Sequence, residues 1–442
     1  MVYLKLNLKK SLTFLVSLGL CLLSLSGCAN NGEKSSTDAL AENKPLTDKW
    51  GIYINVSDSQ QFVKEQLDVA HKIGLKFVRI PVDQLPLGKD YQNKTKLVEY
   101  AIHYAEAKKM TPVVNFTGGV PGNYDQTAYV DFIAGVKHDI NKFIRQNANL
   151  GIVWEAWNEP NGAFWTNDNR HDVNSSSVIN EWVAMNNSIQ KFVQQYDPKA
   201  TFINGDLEGP PIKTAKFINA IRDSSGYKET KAISFHPYLS KTVKNGKPEQ
   251  LLSEFPQYSM ETPYLVTEFG YSVPYNSETY EQRLGIWTYQ QQAAYLSRSV
   301  FIMDMLKMPL FTLFNTSNKK VNYGVESNGA LNPAGKMLLH IRRELKGYHL
   351  SERVSVSDHN VYVLKYKKAF CSDKLVYWSA NDEKNKVNLK GRELTATMAP
   401  KIMKTNSLLW KFMVCLSILV IISTGILWVV KVGHRGKRNS RY

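Results

Sequence analysis

Cysteine is nearly absent from this chain. Four occur in 442 residues, at positions 21, 28, 371 and 415, too few for the disulfide framework that staples small secreted domains. Also missing are a His/Cys cluster with zinc-ligand spacing, an EF-hand loop and a glycine-rich nucleotide loop behind the first strand. No metal or organic cofactor is therefore expected. Acidic side chains are in short supply, 39 against 55 basic ones, for a formal net charge of +16. That balance invites a nucleic-acid partner unless the excess sits outside the folded part. Apolar runs long enough to enter a bilayer are confined to the two ends, which excludes a polytopic membrane protein. What is present is an ordinary globular composition, 43% hydrophobic, in a chain long enough for a ~250-residue barrel and a smaller unit.

The first 27 residues carry Lys5, Lys9 and Lys10, no acid, and an apolar stretch from Leu12 to Leu25, the pattern of a secretory signal. Leu25-Ser26-Gly27-Cys28 resembles a bacterial lipobox, which implies lipidation of Cys28 as the first mature residue. Residues 28–45 are polar and read as a tether. At the other end Phe412 to Val430 is a run of 19 residues without charge, close to the ~20 needed for a membrane-spanning helix. A span over 407–431 is expected, with a basic tail at 432–442 in the cytoplasm and the preceding chain outside. Residues 1–27 and 401–442 together hold eleven basic and no acidic residues, so removing them from +16 leaves +5 for the middle. That remainder is too weak a signal for nucleic acid, and none is expected as a partner.

From Trp50 onward short apolar runs alternate with helical periodicity. Strands are expected at 50–55, 77–81, 111–116, 151–157, 201–206, 232–236, 264–269 and 309–314. Helices are expected at 60–73, 96–109, 129–145, 178–196, 213–222, 277–305 and 331–345, with a weak segment at 251–255. Eight strand–helix units predict an α/β fold, a (β/α)8 TIM barrel, over residues 46–346. After Gly347 the runs at 354–356, 361–366, 374–378 and 386–389 predict a small β-sandwich-like appendix over 347–400.

In such a barrel the chemistry gathers at the C-terminal ends of the strands. The fourth ends in Trp154-Glu155-Ala156-Trp157-Asn158-Glu159-Pro160-Asn161 and the seventh in Val266-Thr267-Glu268-Phe269-Gly270. Two carboxylates at strand ends suit glycosidic cleavage, which needs a proton donor and a second carboxylate across the sugar. These two runs resemble the signatures of clan A glycoside hydrolases, most of all family 39 and next family 5. The resemblance implies Glu159 as acid/base and Glu268 as nucleophile. It implies that Asn158 binds a sugar hydroxyl, and that His236 and Tyr238 form the clan's His-x-Tyr pair, with the tyrosine on the nucleophile.

Arg79 is placed to hold a carboxylate ionised, and Asn115 ends the third strand. Phe164, Trp165 and Tyr271 follow the two catalytic strands as candidate faces for sugar rings. Glu155, one ladder step deeper, reads as a paired interior group, and Asp206 and Glu208 as rim carboxylates. One departure concerns strand eight, where many clan members place a tryptophan and this chain has Phe314-Asn315.

The expected protein is a membrane-tethered, extracytoplasmic retaining β-glycoside hydrolase acting on polysaccharide or oligosaccharide. A transglycosidase of polysaccharide assembly and a silent glycan-binding barrel remain alternatives.

Overall fold

The structure is a computed structural model. It describes residues 39–405 apart from 42, 84–88, 119–125, 163–164, 166–171, 173, 241–245, 256–261, 274–286, 318–321, 328, 370 and 390, together with 419–420 and 422–423; at 89–93 and 126–129 it describes the backbone alone. The predicted signal, the lipidation site Cys28 and the basic tail lie outside the described residues. So does the span 407–431, except for Leu419, Val420, Ile422 and Ser423, which are helical and exposed. Among the described residues no helix is long and apolar enough to cross a membrane.

Eight parallel strands close into a barrel in sequential order: β1 (Trp50–Tyr53), β2 (Phe77–Asp83), β3 (Thr111–Thr117), β4 (Val153–Trp157), β5 (Thr201–Glu208), β6 (Ala232–His236), β7 (Tyr264–Val266) and β8 (Phe311–Leu313). The connecting helices are α1 (Gln60–Ile73), α2 (Lys89–Ala107), α3 (Gln126–Gln146), α4 (Ser176–Tyr196), α5 (Ala215–Asp223), α6 (Leu251–Glu254), α7 (Tyr289–Met305) and α8 (Pro333–Leu345). The weak segment proves to be the four-residue α6. Helix ends follow local chemistry. Ser59 caps α1 through its bond from the Phe62 amide, and Gly74 closes it at φ 85°, a left-handed turn that glycine adopts without a Cβ clash. Thr288 and Gln291 form a capping box that starts α7.

Side-chain parity divides the barrel interior into levels. Phe77, Val113, Val153, Ile203, Ala232, Leu265 and Leu310, near the strand starts, form an apolar plug that Ala39 and Leu40 join. Two residues further along their strands, Phe77 is followed by Arg79, Val113 by Asn115, Val153 by Glu155 and Leu265 by Thr267, all fully buried. A dry floor thus carries a charged layer, which positions the site above it.

The appendix extends further than the sequence predicts. Beyond β8, β9 (Glu326–Ser327) and β10 (Ala330–Leu331) pair with each other; β11 (His349–Arg353), β12 (Val361–Lys367), β13 (Lys374–Ser379) and β16 (Lys401–Lys404) form one sheet, and β14 (Asn385–Leu389) and β15 (Arg392–Ala396) form a hairpin. The predicted run 354–356 is not a strand, and the sheet continues past Pro400. β11 and β16 are edge strands whose residues are mostly exposed and polar, so they lack the apolar alternation that reveals a strand.

One face of β12 and β13, with Tyr362, Leu364, Tyr366, Val376 and Trp378, joins the main core. The other, with Val361, Val363 and Leu375, packs on Val387, Leu394 and Ala396 of the hairpin. Period-two alternation thereby buries both faces.

Buried ion pairs weld this sheet to the barrel. Lys49 Nζ meets Asp304 Oδ1 at 2.7 Å, and Tyr366 donates to Asp304 Oδ2 at 2.9 Å. The fully buried Arg298 binds Asp382 Oδ1 at 2.6 Å and both oxygens of Glu249, while Trp378 donates to Glu249 at 2.7 Å. Replacing Arg298 with methionine would take the guanidinium from Glu249 in a partly buried setting and leave Asp382 to Lys247 at 3.2 Å and the Tyr295 hydroxyl at 2.7 Å, and should cost about 3 kcal/mol. Equilibrium denaturation of the two proteins measures this; an unchanged midpoint would show that the sheet is held by apolar packing alone.

Candidate active site

Arg79, at the third position of β2, organises the charged layer. Its side chain is fully buried, with the guanidinium carbon 5.8 Å from the centre of the Tyr53 ring. Nε donates to Glu155 Oε2 at 2.8 Å and Nη1 to Glu268 Oε2 at 2.7 Å. Nη2 donates to both oxygens of Asp206 at 2.7 and 2.8 Å and to Asn158 Oδ1 at 3.1 Å. A planar fork can serve three carboxylates at once, which a lysine ammonium could not do with this geometry. Burial opposes the charge on Arg79, but the Asp206, Glu155 and Glu268 carboxylates outweigh it and keep it cationic. Glu155 completes its shell with Ser234 Oγ at 2.7 Å. Burial and the neighbouring Asp206 push the Glu155 pKa up.

The second cation of the layer is His236, fully buried at the end of β6. Its Nδ1 lies 2.7 Å from Glu159 Oε1 and its Nε2 lies 2.5 Å from Asp206 Oδ1. Two carboxylates on opposite ring nitrogens favour the doubly protonated imidazolium. Burial works against that charge, but Asp206, Glu268 and the hydrogen bonds to Asp206 and Glu159 hold the pKa well above the ordinary histidine value. Asp206 shows the converse: burial would raise its pKa, while Arg79 and His236 draw it below the usual range.

Glu268 receives Arg79 on Oε2 and the Tyr238 hydroxyl on Oε1 at 2.6 Å. Burial raises its pKa and the Glu159 charge adds to that; His236, Arg79 and the Tyr238 bond pull it back without cancelling the rise.

The backbone aims two of these groups. Glu159 and Asp206 both sit in the left-handed region, at φ 41° and 56°, a conformation that costs a side-chain-bearing residue about 1–3 kcal/mol and gathers at functional sites. They are tied together, Glu159 N donating to the Asp206 carbonyl at 2.8 Å. Pairing of β5 with β6 slips between Asn204 and Leu207, and Gly205 at φ 98° approaches the Ser234 carbonyl so closely that a Cβ would stand 2.8 Å from it. This bulge places Asp206 in the interior rather than on the barrel wall. A matching slip in β4, between its pairings to Val114 and Phe116, sends Trp157 outward into the core against Trp165 and leaves Asn158 and Glu159 at the mouth.

Of the residues singled out in the sequence, Arg79, Asn115, Asn158, Glu159, His236, Tyr238 and Glu268 come together here. Asn115 is fully buried and donates to Asn158 Oδ1 and Asp206 Oδ2, both at 3.3 Å, so it braces the layer from within. Trp165 and Tyr271 do not offer faces to a sugar. Trp165 is 1% exposed and Tyr271 fully buried, the latter enclosed by Phe269, Trp287 and Tyr295 at ring separations of 5.0–5.3 Å. A residue just beyond a catalytic strand can as well turn back into the core, and both do.

Phe164 lies outside the described residues, and Glu208 is exposed with its amide bound to Asn161. Half-buried Phe314 directly follows β8, ringed by Tyr53, Tyr323 and Tyr238 at 4.8, 5.4 and 6.3 Å. Asp206 reads in the sequence as a rim carboxylate, but it is fully buried in the charged layer. The clue was available: an isolated glycine before it, inside a strand, marks a bulge.

Glu159, His236 and Glu268 each bring one possible ligand atom within 4.8 Å of the others, a spacing that a metal ion could use. Both nitrogens of His236 already meet carboxylate oxygens, so the arrangement is that of a proton-holding cluster. Two carboxylates about this close, one beside an imidazolium and one beside a guanidinium, can divide acid and nucleophile roles.

An eight-stranded barrel with glutamates closing strands four and seven is that of a clan A glycoside hydrolase, and the chain is a glycoside hydrolase of that clan. Within it the chain belongs to the family described as Cellulase (glycosyl hydrolase family 5), whose model matches residues 44–302. No curated protein matches the chain.

Among solved structures, a family 39 glycoside hydrolase from the gut symbiont Bacteroides cellulosilyticus WH2 shares 15% identity at a TM-score of 0.58, over 83% of this chain and 82% of that one. A GH30 endoxylanase from Clostridium papyrosolvens C71 shares 10% at 0.52, over 83% and 95%. The endo-β1,6-glucanase BT3312 shares 11% at 0.51, over 82% and 92%. At these identities the likeness is one of fold. The sequence resemblance ranked family 39 first; the family model places the chain in family 5.

Two pH effects follow from the charges. Replacing Tyr238 with phenylalanine removes a bond that lowers the Glu268 pKa, so the acid limb of kcat/KM should move to higher pH; an unmoved limb would mean that Glu268 does not set it. Replacing Asp206 with asparagine removes the largest contribution holding His236 protonated, so His236 should lose its proton at lower pH. An NMR titration of the His236 ring in the purified variant would record the shift.

Proposed function

We propose that this protein is a retaining β-glycoside hydrolase acting on polysaccharide or oligosaccharide outside the cell, tethered to the membrane. The observation that carries the mechanism is the approach of Glu159 and Glu268, with one oxygen of each within 4.8 Å of the other. That is near the ~5–5.5 Å of retaining enzymes and short of the ~6.5–9.5 Å that leaves room for a water in inverting ones. Glu268 attacks the anomeric carbon while Glu159 gives its proton to the departing oxygen; Glu159 then takes a proton from the water that releases the sugar.

The surroundings suit these roles. Arg79 and Tyr238 fix both oxygens of Glu268, which orients a lone pair and steadies the carboxylate as it is regenerated. His236 holds Glu159 at the mouth and Asn158, its Oδ1 engaged by Arg79 and Asn115, has its amide nitrogen for a sugar hydroxyl. Half-exposed Phe314 supplies an apolar ring beside the nucleophile's partner Tyr238, in place of the tryptophan common in the clan, and can carry the apolar face of a sugar.

Tethering is supported by the lysine-led apolar start, by Cys28 in its lipobox-like run and by the uncharged run 412–430.

Glu268→Ala and Glu159→Ala should each lower turnover of an activated aryl β-glycoside at least ~10³-fold, the scale of losing a catalytic group. Azide should rescue the Glu268 variant with product of the opposite anomeric configuration. Residual activity near the parent level in either would overturn the assignment. Product analysis with added sugar acceptors decides between transfer to water and transfer to sugar.

A further inference from the structure

The face of the barrel opposite the catalytic carboxylates is strongly basic. The connections that lead from each helix into the next strand all lie there. Their described parts carry exposed Lys109, Lys199, Lys228, Lys231, Lys307 and Lys346. In those described parts the acids are fewer: Glu229 is exposed, Asp48 is half-buried, and Asp197 is buried beneath the Trp154 indole, from which it accepts a bond at 3.1 Å, while Asp223 is exposed at the adjoining end of α5.

The C-terminal sheet extends this surface. Lys346 and Tyr348 lead directly into β11, and cross-strand pairing sets His349 beside Lys367, then Tyr366 beside Lys374, then Lys374 beside Lys404. Glu344 neutralises Lys374 at 2.7 Å, while Lys367 and Lys404 are exposed.

Chain direction gives this charge a partner. Ala39 sits in the apolar plug at the strand starts, so the polypeptide enters the folded part at this face. It leaves there too: Leu46 N donates to the Tyr348 carbonyl at 3.2 Å, and Thr405 N, just after β16, donates to the Asp373 carbonyl at 2.9 Å. The uncharged run that begins at Phe412 starts seven residues beyond Thr405. Charge alone would suit any polyanion; the exit of the chain toward an apolar run favours a lipid surface.

We infer that the lysine-bearing face of the barrel, with the adjoining end of the C-terminal sheet, docks on an anionic bilayer and holds the catalytic mouth turned away from the membrane. This rests on the membrane-tethered reading above. The device is electrostatic, so it weakens as salt shortens the screening length to about 10 Å at 0.1 M. It leaves hydrolysis of small soluble glycosides unaffected.

The full-length protein, reconstituted into vesicles of phosphatidylcholine alone or mixed with phosphatidylglycerol, provides the test through amine acylation read lysine by lysine in mass spectra. Labelling of Lys199, Lys228, Lys231 and Lys307 should fall several-fold in the mixed vesicles and recover in high salt, with Lys213, beyond the opposite end of β5, unchanged. The combined variant K199E/K228E/K231E/K307E should lose the protection that Lys109 and Lys346 of the same face show in the parent, while keeping its rate on an aryl glycoside. Protein that floats with both vesicle types but labels equally in each overturns the docking while leaving the tether intact. Protein that floats with neither overturns both. Protection by soluble polyglutamate without any by the mixed vesicles also overturns the inference, in favour of a polyanionic ligand.

Discussion

The Arg79 guanidinium is the interaction on which the site depends. Three carboxylates, Glu155, Asp206 and Glu268, contact it inside a barrel, and none could remain ionised there without a cation within reach. Arg79 stands at the level where the apolar plug ends, so it also decides where water-compatible chemistry begins. Glu155 and Asp206 serve mainly to balance it, and Glu268 uses the same charge while presenting its other oxygen to Tyr238. Removal of the guanidinium would leave repelling acids in a space too tight for bulk water.

His236 extends this network to the second glutamate. Its imidazolium joins Asp206, already bound to Arg79, to Glu159, so Glu159 and Glu268 belong to a single continuous set of ion pairs. The bulges in β4 and β5 make the connection possible by turning Asn158, Glu159 and Asp206 toward the same point. Left-handed backbone at Glu159 and Asp206 is the conformational cost of that convergence, offset by the charge contacts. The C-terminal sheet contributes from behind: Arg298 ties it to Glu249, and Tyr295, which packs on Tyr271 beyond the nucleophile strand, also reaches Asp382 of the sheet.

Much of this was legible along the chain because the barrel repeats one local pattern. Apolar runs bounded by helical periodicity gave the eight strands within a few residues, since parallel strands buried on both faces have no polar positions to obscure them. Glu159 and Glu268 stood out because short motifs at strand ends keep their spacing. The misreadings share a cause. Trp165 and Tyr271 read as sugar platforms because they follow the strands that carry Glu159 and Glu268, yet the direction of a loop side chain depends on the elements packed beside it. Asp206 was undervalued because a bulge moves a residue from wall to interior, and only one glycine hinted at it. Edge strands β11 and β16 were hidden by their exposure.

By itself the sequence determined the barrel, the pair of glutamates and the distribution of charge between the ends and the middle. Periodicity, motif spacing and counting are properties of a chain read in order. Only the tertiary structure decided that Arg79 contacts three acids, that Asp206 and His236 join Glu159 to the network of Glu268, and that the lysines of separate connections share one face. Those residues lie scattered over more than two hundred positions, and it is closure of the barrel that brings them within a few ångströms or onto a common surface.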